Sequence, residues 1–69
     1  LRFVLGLSGR TVVEIVNIRG EVVARLLDEE LSAGEHELLW DAGRESSGMY
    51  YCRVRSGMWW GEQAVVVVK

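Results

Sequence analysis

Short segments of alternating apolar and polar residues are the feature that most limits the folds open to this chain. The stretch "LRFVL" puts Leu1, Phe3 and Leu5 on one face of an extended strand, because successive strand side chains point to opposite sides. "TVVEIV" and "MYYCRVRS" alternate in the same way, and no segment has the spacing of an amphipathic helix. The pattern therefore predicts antiparallel sheets packed face to face, with the other faces in water.

Glycine alone separates these segments, since the chain contains 8 glycines and no proline. Glycine occurs in "GLSG", "RG", "AG", "GRESSG" and "SG", at roughly the 8 to 12 residue spacing of a β-sandwich. We therefore predict a single domain, residues 1–69, that is all-β. Its expected architecture is an immunoglobulin-like antiparallel β-sandwich of about six or seven short strands.

Two stretches depart from the regular alternation. In "EVVARLLD", Val23 and Leu26 are out of phase with the rest of the strand, and a β-bulge would return both to the apolar face. In "DEELSAG", the acids favour a helical turn but the glycine follows too soon for a helix. We therefore predict a loop at 28–34, with room for one turn.

Charge and length exclude several classes of function. The net charge is −2 and the two signs are interspersed, which argues against nucleic acid or an anionic membrane as a partner. No apolar run approaches the roughly 20 residues that span a bilayer, and no signal peptide opens the chain. Because the chain opens at Leu1 directly on an apolar alternation, we expect it to be a piece cut or matured from a longer polypeptide.

Reactive side chains are few. Cys52 is the only cysteine and His36 the only histidine, so an internal disulfide and a multi-histidine metal site are both excluded. A catalytic thiol needs exposure and a nearby cation, whereas Cys52 alternates with Tyr50 and Val54 and is predicted to be buried. The acids at 28–30 lack the spacing of an EF-hand loop and are interpreted as a solvated surface. We predict no enzyme activity, no metal and no cofactor.

The stretch "WDAGRESSGMYY" predicts a defined corner between two strands. Asp41 can cap the turn after Trp40, and Gly48 supplies the backbone freedom to enter the next strand. Tyr50 lies where a sandwich tyrosine turns its hydroxyl back to the backbone of the corner. The same stretch looks like the end of an antibody variable domain, but no cysteine precedes Cys52 to form the bridge between sheets.

Two adjacent tryptophans suggest a binding surface. In a strand, Trp59 and Trp60 would point to opposite faces, so only one can enter the core. The other is a candidate platform for a sugar or a partner protein, and packing across the sheet edge is the alternative. With Val12 and Val16, the tryptophans form a candidate partner surface. "SGM" before them predicts a tight hairpin.

Most of the chain resembles a known family. The stretches that carry the resemblance are "LRFVL", "VEIVNIRGEVVARL", "LSAGEHELLWD", "SSGMYYCRV" and the ending "VVVVK". In this order and spacing they resemble the type A C-terminal sorting domain of type IX secretion cargo proteins, and the related immunoglobulin-like domain of the flagellar hook-capping protein. The chain lacks the family's proline in the first turn, and Val16 and Cys52 stand where larger apolar residues are usual.

The resemblance implies a module that is recognised by other proteins. It would be a sorting or attachment module at the C-terminus of a bacterial secreted or cell-surface protein, passing through the periplasm to the type IX outer-membrane machinery. Its recognition element would be the final strand, since strand addition provides affinity through backbone hydrogen bonds. The positions that the resemblance assigns to recognition or to its framework are Gly34, Gly48, Tyr50, Val66, Val68 and Lys69.

Two other functions remain open on the sequence. The first is a structural assembly domain of an extracellular filament or hook-cap-like scaffold, in which Val12, Val16 and one tryptophan would contact a neighbouring domain or subunit. The second is a carbohydrate-binding accessory module with a tryptophan platform. In both, as in sorting, the expected role is binding.

Overall fold

The computed structural model describes all residues from Leu1 to Lys69 and contains six β-strands and no helix. The strands are β1 (Arg2–Leu5), β2 (Gly9–Asn17), β3 (Val22–Leu31), β4 (Gly34–Glu37), β5 (Gly48–Ser56) and β6 (Trp59–Val67). β1 and β4 form a two-stranded sheet, and the other four form a sheet in the order β3-β2-β5-β6. All neighbours are antiparallel, which confirms the predicted all-β sandwich.

The core is built from alternate residues of the two central strands, β2 and β5. Val13 lies opposite Val54, and Ile15 lies opposite Cys52. All four are buried, together with Tyr50. The apolar side chains that pack around this cluster are Leu1, Phe3, Val23, Ala24, Leu26, Leu27, Leu38, Trp40, Val65 and Val67. The alternation predicted for both central strands is therefore confirmed.

β3 is irregular where the sequence predicted a bulge. Its pairing with β2 shifts register at two places, which leaves Val23 and Leu26 without a partner on β2. Both side chains turn to the core side and pack against the buried cluster. The prediction is confirmed, with one bulge for each out-of-phase residue.

The loop predicted at 28–34 is wrong over most of its length. Residues 28–30 belong to β3 and pair with 10–12 of β2, and only 32–33 lie between β3 and β4. Pairing with β2 outweighs the low strand propensity of acidic residues. Arg10 Nε also donates to Asp28 Oδ1 at 2.9 Å across the two strands.

The corner between β4 and β5 is fastened by side chains. Tyr50 Oη donates a hydrogen bond to the carbonyl oxygen of Ser46 at 2.7 Å, and its ring lies edge-on to Trp40 with 5.3 Å between centroids. Asp41 Oδ1 accepts a hydrogen bond from the backbone N–H of Gly43 at 2.9 Å. The predicted roles of Tyr50 and Asp41 are both confirmed.

Replacing Tyr50 with phenylalanine is expected to lower the free energy of unfolding by about 1 kcal/mol, because the Ser46 carbonyl loses its donor. Tyr51→Phe is the matched control, since its hydroxyl contacts only the Met49 sulfur at 3.4 Å on an exposed surface. Urea denaturation followed by circular dichroism measures both variants. Equal losses in the two variants would contradict a stabilising role for the corner hydrogen bond.

Candidate functional site: the free edge of β6

The four-stranded sheet ends in two edge strands, β3 and β6, which differ in how they are protected. β3 carries two register shifts and charges at Arg25 and 28–30, features that prevent edge-to-edge pairing in natural sheets. β6 pairs with β5 without any shift, and its second half, from Ala64 to Val67, has no charged residue. β6 is therefore the unprotected edge.

The hairpin before β6 determines which of its backbone groups are free. Gly57 and Met58 form a two-residue loop with Gly57 at a φ of 60°, which confirms the tight hairpin predicted at "SGM". Ser56 and Trp59 form the hydrogen-bonded closing pair of such a hairpin, and bonded and non-bonded pairs alternate beyond it. The residues whose backbone N–H and C=O groups point away from β5 are therefore Trp60, Glu62, Ala64 and Val66.

Side chains along β6 alternate between the core side and the outer face of the sheet. Val65 and Val67 pack against the buried cluster. Val66 and Trp60 lie on the outer face and are 62% and 63% exposed. Trp59 lies on the core side, so the two tryptophans point to opposite faces as predicted. The edge thus offers apolar contacts on both of its faces.

A cleft of about 150 Å³ opens between β6 and β1 beside Gly61. Leu1, Phe3 and Trp59 form its walls, and Cys52 contributes to the lining. A Cβ at Gly61 would lie 3.2 Å from Trp59 Cζ2, so glycine allows the indole to pack against this part of β6. An apolar side chain of an added strand would meet this cleft if it stood opposite Gly61.

A wider groove of about 710 Å³ lies at one end of the sandwich, between the β1–β2 connection and the β5–β6 hairpin. Val4, Leu7, Met58 and Trp59 line it and are exposed. Trp59, the tryptophan on the core side, borders this groove, whereas Trp60, the candidate platform, lies on the outer face of the sheet. The lining of the groove combines apolar side chains with glycine and serine, and Arg10 at its border is already paired with Asp28.

The outer face of the sheet carries a carboxylate that sequence reasoning missed. Glu14 is buried, and its Oε2 accepts hydrogen bonds from Arg25 at 2.7 and 3.2 Å, while Arg55 Nη2 lies 3.7 Å from Oε1. The hydrogen bond to Glu14, and then its charge, raises the pKa of Arg25. These contacts satisfy the carboxylate and hold β2, β3 and β5 together.

The outer-face valines proposed as a partner surface are largely covered by neighbouring side chains. Val16 is only 2% exposed, between Val22 on β3 and Tyr51 on β5. Val12 is half-buried between Asp28 and Arg55. The large apolar side chains that remain exposed on this face of the sheet are Val22, Met49, Trp60 and Val66.

The other positions assigned by the resemblance lie in different parts of the fold. Gly34 begins β4 at a φ of 123°, a conformation that residues with side chains rarely adopt. Gly48 begins β5 and pairs with Val67. Val68 follows β6 and is exposed. Lys69 donates from its backbone N–H to Ser47 Oγ at 3.1 Å and from Nζ to the Gly43 carbonyl at 2.8 Å, which fastens the end of the chain to the corner.

Cys52 and His36 occupy structural positions. Cys52 is buried, as predicted, and burial raises the pKa of its thiol. His36 stacks on Phe3 with 5.5 Å between ring centroids, and its Nε2 lies 2.7 Å from the carbonyl oxygen of Ser32. No three histidine, cysteine, aspartate or glutamate side chains are grouped as a metal site requires.

Comparison with known proteins gives no family for this chain. No family model, curated protein or solved structure matches it. The structure also contains no helix of the length and apolarity needed to span a membrane.

Proposed function

We propose that this domain is a non-enzymatic recognition module whose partner adds a strand to the free edge of β6. The observation that carries the proposal is an edge of nine residues, Trp59–Val67, without a bulge and with a single charged side chain, Glu62. Natural sheets usually carry bulges or charged side chains at such edges, because an open edge pairs with other chains. β3 of this domain has both features. An edge left open beside a protected one is suited to binding.

Strand addition here would use backbone and side chains together. The outward N–H and C=O groups of Trp60, Glu62, Ala64 and Val66 would form the hydrogen bonds. The side chain standing opposite Gly61 would meet the cleft, which selects an apolar residue of moderate size. Affinity thus comes from the backbone and selectivity from alternate side chains.

The biological role we propose is sorting or attachment of a bacterial secreted or cell-surface protein through the type IX outer-membrane machinery. The resemblance of the chain to type A sorting domains supports this assignment, and so does the free edge of β6, the strand to which the resemblance assigns recognition. Val66, at the free edge, and Val68 just beyond it are both exposed. The module would thus present its binding strand without unfolding.

The decisive variant is Val66→Pro in the full-length parent protein. Its N–H points away from β5, so proline removes no hydrogen bond within the domain but blocks an added strand. The folded variant should accumulate in the periplasm, with secretion reduced at least about tenfold. Val66→Ala is the control, because it removes the side chain and keeps the N–H.

Secretion is measured by comparing periplasmic and extracellular fractions in the native host, and folding by circular dichroism of the purified domains. A Val66→Pro protein that is folded and secreted at the normal level would contradict the proposal. If Val66→Ala also abolished secretion, the valine side chain and not the backbone N–H would be the recognised group. This result would also contradict strand addition.

A further inference from the structure

We propose that two copies of this chain associate through β6, antiparallel, so that two four-stranded sheets become one sheet of eight strands. In this dimer, the free edge of β6 pairs with β6 of the second copy. The second copy would use the same backbone groups of β6 as the proposed partner strand, so the two states exclude each other. Association of the isolated chain and secretion of the parent protein are measured separately, so either proposal can fail without the other.

Backbone geometry restricts how two β6 strands can pair. A twofold axis perpendicular to the sheet places the core sides of the two copies on the same face. Side chains alternate between faces along a strand, so two residues that stand opposite each other must both be odd-numbered or both be even-numbered. Free N–H and C=O groups lie on Trp60, Glu62, Ala64 and Val66. With the axis at Gln63, Trp60 bonds to Val66 of the second copy and Glu62 bonds to its Ala64. The twofold axis repeats each of these pairs, which gives four pairs with two backbone hydrogen bonds each, about eight in all.

Charge selects this register among its neighbours. Glu62 is the only charged side chain between Trp59 and Val68. With the axis at Gln63, Glu62 stands opposite Ala64 of the second copy. Within its own chain, Glu62 Oε2 lies 3.3 Å from Arg53 Nε, so its charge is already paired. An axis at Glu62 would set the two glutamates directly opposite each other, which is unfavourable. An axis at Ala64 would set the Gln63 amide opposite Val65.

Side-chain shape and polarity are also self-complementary in this register. On the axis, Gln63 meets Gln63 of the second copy, and two amides offer each other both a donor and an acceptor. Gly61 stands opposite Val65 of the second copy, whose side chain lies on the core side, where the cleft opens beside β6. On the outer face, Trp60 stands opposite Val66, a favourable aromatic and β-branched pair of two exposed side chains.

Opposite charges at one exposed position test the register. Ala64→Glu sets two glutamates against the two Glu62 side chains and should weaken association by about tenfold or more. Ala64→Lys sets a cation against each Glu62 and should strengthen association by several-fold relative to the native chain. Val22→Glu, an exposed residue on the other edge strand, is the matched control and should leave association unchanged.

Sedimentation velocity over a wide concentration range measures the dissociation constants, and circular dichroism confirms that each variant is folded. A native chain that remains monomeric at the highest soluble concentration would overturn the proposal. Equal effects of Ala64→Glu and Ala64→Lys would overturn the register, since only their charge differs.

Cysteine cross-linking provides a second readout. Gln63 of the two copies would form a non-hydrogen-bonded pair with Cα atoms about 4.5 Å apart, within reach of a disulfide. Cys52 lies opposite Gln63 on β5, within reach of a disulfide inside one chain, so both cysteine variants are made in a Cys52→Ala background. In that background Gln63→Cys should give a covalent dimer under mild oxidation. In Val66→Cys the two thiols would lie about 20 Å apart, so this exposed control should not cross-link through β6. Equal cross-linking of both variants would exclude the proposed pairing.

Discussion

Replacing Ile15 with alanine should remove most of the stability of this domain. Ile15 is fully buried at the centre of the cluster formed by β2 and β5, and it lies opposite Cys52. Truncating a buried isoleucine costs about 2 to 5 kcal/mol, because apolar contacts are lost and a cavity remains. A domain of this length is stable by only about 3 to 10 kcal/mol. The variant should therefore be partly unfolded without denaturant.

Ile18→Ala is the matched control for this prediction. Ile18 follows β2 and is 77% exposed, so its truncation should change the free energy of unfolding by less than about 0.5 kcal/mol. Urea denaturation followed by far-ultraviolet circular dichroism gives both values. Similar midpoints for the two variants would show that the core is not organised around Ile15.

Replacing Trp40 with alanine is expected to have the next largest effect, a loss of about 3 kcal/mol in the free energy of unfolding. The indole is half-buried, packs against the core cluster and lies edge-on to Tyr50. Truncation removes both the buried area and the aromatic pair. The long connection between β4 and β5 would then be held to the core by Leu38 without the indole.

Trp60→Ala is the control for Trp40, since it removes the same side chain from an exposed site on the outer face. Denaturation at low protein concentration, where monomers dominate, should show a change below about 0.5 kcal/mol. A loss for Trp60→Ala as large as that for Trp40→Ala would contradict the assignment of the two indoles to surface and core. At high concentration, Trp60→Ala should also weaken the proposed dimer.

Features governed by local rules could be predicted from the sequence. Alternation placed Val13, Ile15, Cys52 and Val54 in the core because each strand presents one face to the opposing sheet. The hydroxyl of Tyr50 also follows from a rule that operates over a few residues. These assignments needed no knowledge of which strands are neighbours.

Features that depend on distant pairing were missed or only partly predicted. Residues 28–30 have low strand propensity and are extended because β2 pairs with them. The burial of Glu14 depends on the register that places Arg25 and Arg55 beside it. The positions of Gly61 and Gln63 at the β6 edge became apparent only with the strand order. Alternation alone does not reveal which strand lies at an edge.

The way in which the four-stranded sheet is joined has a consequence for folding kinetics. It consists of two hairpins, β2–β3 and β5–β6, that meet along β2 and β5. Each hairpin closes over a short turn within microseconds. Joining them requires the 16-residue connection between Leu31 and Gly48 to be ordered, and this step should limit the rate. The absence of proline means that no slow isomerisation phase should follow. During synthesis, β2 and β3 would remain without their core partner until the ribosome has released β5.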